Sequence, residues 1–508
     1  MAIKKTWIIL GGILLLGAVL RFWGLGGTSF NADEFLDINS SYGYAQTGEW
    51  KAWDFNFGQL SEVNINSARD ERANVYKWQV AQVFSFLPPT EAVARSVSAF
   101  WGVLSILVMF FAGWFFSGKK LVGLLAAALF AVSVSGLEFD RKLRMYAMFF
   151  PLFLLMSLSL FALYEREYKG KIRALRIFWE KTDLNAMYLL PFLLFGYLSF
   201  QTHQLSINII PIFAVYVAAM IVLAWKRKQS AEDKYMGTAA LGLVVAIVAW
   251  TAAPEKVREL FGALVFFENH YSYFGYVVRD YAQPILAAIF FGFGAWHLGK
   301  KLGKEKESVW LLASSLVPLV MAVWLWRRNA GQQYIFFAQS FMAILVASGG
   351  YALVRLAKDE FSARWKHTVC ATLLLFVVLV PNWGYFFQEN NTYRQTSSGD
   401  SANYRKIYQY FRNNSGDADA LIARNFRNYY WSGTETPVLD FGGELSISKL
   451  SVAEIESFMT EHPSGWFIAS DNDMDYVSRD AENFIRKNME QQSHSLIRGN
   501  VEVWRWGN

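Results

Sequence analysis

Residues 7–35 read Trp7-Ile-Ile-Leu-Gly-Gly-Ile-Leu-Leu-Leu-Gly-Ala-Val-Leu-Arg21-Phe-Trp-Gly-Leu-Gly-Gly-Thr-Ser-Phe-Asn-Ala-Asp33-Glu34-Phe35. The apolar half is long enough to cross a hydrocarbon core of about 30 Å as a helix. A pair of carboxylates follows a few residues past its end. Lys4-Lys5 precede the run, as in a signal peptide, but no small-x-small cleavage site follows, so the segment is expected to stay as an anchor. Acidic residues held at the mouth of a membrane protein suggest chemistry at the bilayer surface.

The remaining chain extends that pattern. A chain of 508 residues that is 54% hydrophobic and 17% aromatic does not form one water-soluble globule. Eleven spans are expected, at 7–23, 93–116, 121–137, 145–164, 186–200, 205–225, 235–253, 284–298, 309–326, 334–356 and 368–387. Lys and Arg gather at 4–5, 119–120, 166–181, 226–228, 300–306 and 355–366, on one side every time with eleven spans. Cytoplasmic loops retain positive charge, so the N-terminus is expected inside, and the loop carrying Asp33-Glu34 and the tail after 387 outside. The protein is thus expected in the cell (plasma or inner) membrane. Net charge +6 reflects this bias and gives no reason to invoke nucleic acid. The single cysteine, Cys370, rules out a disulfide within the chain.

Two polar stretches are long enough to fold. The first, the external loop 24–91, reads as a lid with amphipathic pieces lying along the interface, with an ordinary connecting loop as the alternative. The second, 388–508, has soluble composition. Helical patterns at 403–413, 451–462 and 479–490 alternate with strand-like runs at 420–423, 437–441, 466–470 and 502–506. The expected fold is an α-helical polytopic membrane domain over 1–387 and a small C-terminal α/β domain over 388–508. No internal repeat and no Gly-rich phosphate loop occurs.

Some charges stand against the trend. Arg327-Arg328 lie at the outer end of the ninth expected span, where a guanidinium can fork onto phosphate oxygens or snorkel to headgroups. Glu138-Phe-Asp140-Arg141-Lys142-Leu-Arg144-Met-Tyr146 packs five charges into one external turn, either self-neutralising or forming a pocket for an anionic headgroup. His203 closes the fifth expected span, as a structural or a catalytic residue. Glu268-Asn-His270-Tyr271, in the external loop before the eighth, is a candidate rim of the cavity, with Trp53, Tyr271, Tyr273 and Tyr276 as aromatics able to stack on a sugar.

These pieces resemble, in order and position, the GT-C glycosyltransferases, specifically the protein O-mannosyltransferase and lipid A aminoarabinose transferase branch. They are Arg21-Phe-Trp-Gly-Leu with Asp33-Glu34, Glu91-Ala-Val-Ala-Arg95-Ser, Arg144-Met-Tyr146-Ala and the His203 segment. The resemblance implies an inverting transferase that uses a polyprenyl-phosphate sugar. It makes Asp33 the base, with Glu34 orienting its surroundings or binding an arginine such as Arg144. Arg144, Arg327, Arg328 and Tyr146 become candidates for the donor phosphate, and His203, Asp140, Glu138 and His270 for the cavity. The chain departs from its relatives at Gln333-Tyr334, where many place Arg-Tyr, and at Asn74-Val-Tyr-Lys77-Trp, where a proline-rich turn is common.

A lipid monophosphate leaving group can be served by arginines alone, so no cofactor is expected. The alternative is a divalent cation on Asp33, Glu34 and Asp140 or Glu138. The acceptor is a glycan, lipid or protein group. The rival functions are a transporter or lipid flippase, for which inverted repeats and broken midplane helices are missing from the sequence, and a membrane-anchored binding protein.

Overall fold

The computed structural model describes residues 3–61, 72–230, 232–262, 264, 269–326, 330–360, 364–395, 401–442 and 449–507. The chain divides into two compact units. The first comprises Met1–Arg21, Ala99–Asp140 and Met145–Tyr385; the second comprises Phe22–Ser98, Arg141–Arg144 and Phe386–Asn508.

Helices built from the long apolar runs dominate the chain. Among the described residues seven are long and apolar enough to cross a membrane: Lys4–Phe22, Glu91–Ser117, Tyr146–Glu165, Gln204–Lys226, Asp233–Ala252, Glu305–Trp324 and Phe336–Asp359. Two bent pairs raise the number to nine if each is one span: Lys120–Ala131 with Val134–Asp140 at 61°, and Arg173–Thr182 with Ala186–Thr202 at 106°. The protein is a multi-pass membrane protein. The runs expected to span at 284–298 and 368–387 form shorter helices, Pro284–Trp296 of 13 residues and Trp365–Leu379 of 15. At 1.5 Å per residue these reach only about 20 and 23 Å, short of an average bilayer core. A proline opens the first of them, and the π-helical turn His297–Lys301 follows it.

Buried charges inside the first unit are held by polar partners from other helices. The break between Lys120–Ala131 and Val134–Asp140 interrupts the regular helix hydrogen bonds of the last carbonyls. Arg21 supplies donors to Phe130 O at 3.2 Å and Ala131 O at 3.0 Å, and its Nε binds Asp140 Oδ2 at 2.7 Å. Gly102 makes room for this fully buried pair, because a Cβ there would sit 2.3 Å from Asp140 Cγ. Elsewhere Glu165 accepts hydrogen bonds from Tyr216 and Tyr235, both at 2.8 Å, and pairs with Lys234 and Lys306. One buried carboxylate thereby joins four helices, and its charge is tolerated because donors surround it. Backbones touch where Pro284–Trp296 crosses Gln339–Glu360. A Cβ on Gly294 would lie 1.9 Å from Leu345 O, and one on Gly349 would lie 2.2 Å from Phe290 O.

The second unit joins the first external loop to the C-terminal segment. Helix Ala32–Thr47 opens with a capping box, the Asn31 side chain accepting from Glu34 N while Glu34 accepts from Asn31 N. Helix Asn74–Phe84 packs beside it, and strands β1 (Trp53–Asp54) and β2 (Gln59–Leu60) pair antiparallel. The loop was expected as a lid lying on the interface. Part of it is covered by protein: Phe35 is fully buried against Tyr404, Phe426 and Tyr430, whereas Phe57, Trp78, Phe86 and Leu87 are exposed.

The C-terminal sheet contains β3 (Ala420–Ile422), β4 (Val438–Leu439), β5 (Gly465–Ser470), β6 (Glu490–Gln491) and β7 (Val501–Trp506), in the order β4-β3-β5-β7-β6. The β3 pairings are parallel, and β7 runs antiparallel to both β5 and β6. Ile422, Phe467 and Trp504 from the sheet meet Ile455 and Ile485 from helices Val452–Glu461 and Arg479–Asn488 in one core.

Candidate functional site

Asp33 and Glu34 are neighbours on the first turn of helix Ala32–Thr47, and their side chains diverge as successive helix positions must. Glu34 is buried. Its two oxygens receive Arg95 Nε at 2.7 Å and Arg95 Nη2 at 2.8 Å, and Leu143 N donates to it at 2.6 Å. Burial alone would raise its pKa, but the Arg95 charge and hydrogen bonds, with those from Leu143 and Asn31, hold the carboxyl below its usual range. Arg144 was one expected partner for Glu34; Arg95 fills that place, reaching back from helix Glu91–Ser117. Arg95 also donates to the carbonyls of Leu25, Thr28 and Ser29, so one guanidinium fastens the whole approach to the helix.

The Asp33 side chain is 55% exposed. Asp37, one turn on, shares its face of the helix and is nearly buried. Arg144 lies across both. Its Nη1 donates to Asp37 Oδ2 at 2.8 Å and to Asp33 O at 3.1 Å, while its Nη2 stands 3.6 Å from Asp33 Oδ2. From behind, Ser98 Oγ donates to Arg144 O at 3.2 Å and shares a 2.6 Å hydrogen bond with Tyr76 OH. Burial raises the Tyr76 pKa, reinforced by the nearby carboxylates of Asp37 and Glu34, so the phenol stays protonated. Lys77, buried on the next position, donates to Ser40 Oγ at 3.1 Å.

The other expected residues belong to the first unit. Asp140 is committed to Arg21. Glu138 pairs with Arg279 at 2.5 Å, Arg279 donates to Gln332 Oε1 at 2.7 Å, and Gln332 donates to Ser135 Oγ at 2.7 Å. Asp280, next to Arg279, accepts from Ser135 N and Ser133 Oγ, and burial raises its pKa. His203 caps the short helix Gln204–Asn208 by accepting Leu205 N at Nδ1, and its ring packs on Tyr146 and Phe149. His270 donates its backbone N–H to Val323 O and lies edge-on to Tyr273. Arg327, Arg328 and Glu268 lie outside the described residues.

Glu34, Asp140 and Glu138 each bind their own arginine, and among the described residues no group of three His, Cys, Asp or Glu side chains is arranged to hold a metal ion.

No protein-family model matches the sequence, and no curated protein matches it significantly. Solved structures do. ArnT from Cupriavidus metallidurans in its apo state aligns with a TM-score of 0.55 at 10% identity, covering 99% of this chain and 98% of that one. The apo oligosaccharyltransferase of Archaeoglobus fulgidus aligns with a TM-score of 0.60 at 12% identity, over 92% of this chain and 70% of that one. The same archaeal enzyme, AglB, in complex with an inhibitory peptide and a dolichol-phosphate, gives 0.57 at 11% identity, over 97% and 73%.

The chain has the GT-C glycosyltransferase fold. Identity this low shows the fold alone and leaves each residue's role to its own geometry. On that geometry, sequence reading assigned no role to Asp37, Arg95, Tyr76 or Arg279. An arginine one turn inside an apolar helix, as at Arg95, and an acidic residue one turn after Asp33 were the available signals.

Proposed function

We propose that the protein is an inverting glycosyltransferase that moves a hexosyl or pentosyl group from a polyprenyl-phosphate donor to an acceptor hydroxyl or phosphate on the outer face of the membrane. The observation that carries this reading is Asp33. It is a half-exposed carboxylate beside Arg144, on a helix turn whose other carboxylates, Glu34 and Asp37, are more deeply buried against Arg95 and Arg144. The GT-C fold supports the reaction class, and the dolichol-phosphate in the AglB complex supports a lipid-phosphate donor.

The acceptor O–H gives its proton to the Asp33 carboxylate as its oxygen forms a bond to the anomeric carbon. The bond from that carbon to the phosphate oxygen breaks on the opposite face, and polyprenyl phosphate leaves with the electron pair. Such a base contributes about 10²- to 10⁴-fold. Arg144, with Arg327 and Arg328 from the sequence reading, is assigned to the charge that gathers on the phosphate. Glu34 braces the turn, while Tyr146, His203, Glu138, Asp140 and His270 serve as supporting residues. In this reading all eleven apolar runs cross or enter the bilayer, the two short ones where it is locally thin. The N-terminus is cytoplasmic, and residues 24–91 and 388–508 face outward.

The test is release of free polyprenyl phosphate by the purified protein from a panel of polyprenyl-phosphate sugars, with a membrane extract as acceptor source. Wild type should turn over one donor, and Asp33→Asn should lose at least about 100-fold. Equal turnover by the variant removes Asp33 from the mechanism. Donor movement across sealed vesicles without phosphate release would favour the transporter reading.

A further inference from the structure

In the first unit Asp140, Glu165 and Glu138 each pair with a cation. Asp280 forms no ion pair among the described residues. Ser135 N donates to its Oδ1 at 2.7 Å and Ser133 Oγ to its Oδ2 at 2.9 Å, both uncharged donors. The neighbouring guanidinium of Arg279 is drawn to Glu138 and Gln332 instead. Burial raises the Asp280 pKa in spite of these donors, the mark of a charge without a full counterpart. A carboxylate has about four acceptor sites, so these two bonds leave capacity on it.

Asp280 and Ser133 line a cavity of about 20 Å³ together with Tyr281 and Gln339. Gln339 is 7% exposed. Its Nε2 donates to Tyr276 O at 3.1 Å, whereas its buried Oε1 has no hydrogen-bond partner. A buried acceptor left unbonded costs stability until a donor reaches it. The cavity has room for one group the size of a water molecule. It adjoins a second cavity of about 90 Å³, with Leu129 and Pro381 common to both walls. This one is apolar, formed by Ile13 and Leu16 of the first helix, Leu125 and Ala128 of Lys120–Ala131, and Phe376 and Val377 of Trp365–Leu379. Leu16 and Val377 are exposed, so the groove opens where the apolar helices meet the bilayer.

We propose that these adjoining cavities bind an aminophospholipid, its primary ammonium held by Asp280, Ser133 and Gln339 and one of its chains lying in the apolar groove. A primary ammonium is about as small as water, donates up to three hydrogen bonds and supplies the charge that Asp280 lacks. Asp280 and Gln339 Oε1 are acceptors, and an ammonium donates only, so no donor is left facing another donor. A choline head is bulkier and has no N–H to give. A free amine would satisfy the polar cavity and leave the groove unused, whereas an aminophospholipid uses both. None of these residues lies on the turn that carries Asp33, and the inference does not depend on the transfer reaction.

The test is lipid binding by the full-length protein, purified in detergent, stripped of lipid and titrated with phosphatidylethanolamine or phosphatidylcholine of identical chains, with bound lipid read by native mass spectrometry. Wild type should bind phosphatidylethanolamine about tenfold more tightly, as a hydrogen bond to a charged group predicts. Equal affinity for the two lipids overturns the inference. Asp280→Asn should remove the preference, and Gln339→Leu should weaken phosphatidylethanolamine about threefold; a preference that survives Asp280→Asn intact overturns the assignment of the head. Ala128→Phe fills the groove, breaks no hydrogen bond of Asp280, and should weaken phosphatidylethanolamine about tenfold. Unchanged affinity in that variant overturns the assignment of the chain, and this arm stands even where Asp280→Asn fails to fold. Glycerophosphoethanolamine, the same head without chains, should compete only at about 100-fold higher concentration. Competition at equal concentration would make this a site for free amines and overturn the lipid.

Discussion

Asp33 and Glu34 are chemically alike and adjacent, and one helical step separates their environments completely. Glu34 is closed into a bidentate pair with Arg95, whereas Asp33 keeps more than half its side chain in the open. Opposite outcomes are expected on substitution. Glu34→Gln leaves the Arg95 charge buried without its counter-ion, a change worth roughly 3–5 kcal/mol of stability, visible as a lower unfolding temperature in detergent. Asp33→Asn should leave the unfolding temperature unchanged while turnover is lost. The depressed pKa of Glu34 also predicts a pH dependence. A carboxyl that titrates lower when folded stabilises the fold above its unfolded value of 4.5, and that stabilisation is lost as pH falls toward and through the folded value. Unfolding temperature should drop below about pH 4.5 in wild type, and Glu34→Gln should flatten that drop.

At the scale of elements, the helices meet where side chains are missing. The crossing of Pro284–Trp296 with Gln339–Glu360 brings backbone against backbone at Gly294 and Gly349, as small residues permit in membrane helices. Gly349→Val should lower the unfolding temperature sharply, because its new atoms would collide with the Phe290 backbone rather than with a movable side chain. Gly242→Val, at a glycine with no atom within 4 Å of an added Cβ, is the matched control and should be neutral. The helix Arg173–Thr182 shows the reverse situation. It carries no buried residue, exposes Ile177 and Phe178, and turns 106° from the helix that follows. A basic amphipathic helix of this kind is expected to lie in the headgroup plane. Fluorescence of a variant retaining Trp179 as its sole tryptophan should be quenched by lipids brominated near the headgroup and little by lipids brominated at the chain end.

At the scale of the molecule, the second unit is assembled from residues far apart in sequence. Arg405 Nε donates to Glu91 at 3.0 Å, Tyr430 OH donates to the same Glu91 oxygen at 2.9 Å, and Phe30 N donates to Tyr430 OH at 2.7 Å. Removal of 401–508 should therefore uncover Phe30 and Phe35 and open the helix Ala32–Thr47 to limited proteolysis, although the deleted residues lie hundreds of positions away. Intact protection of that helix in the truncated protein would show that the loop folds alone. Features that depend on local pattern were legible in the chain: most of the apolar runs that form long helices, and the four C-terminal strand and three helix positions, found within a few residues of their predicted places. It also supplied the acidic pair and the likeness to GT-C enzymes. Period and hydropathy are properties of neighbouring residues, so they survive in a one-dimensional reading. Folding in three dimensions settled which carboxylate is buried and which exposed, that Arg95 rather than Arg144 closes on Glu34, that Asp37 takes the nearer bond to Arg144, and that the first loop shares a unit with the C-terminal sheet. Those outcomes depend on which charges meet after folding, and a buried charge accepts whichever partner the fold brings within hydrogen-bond reach, however distant in the chain.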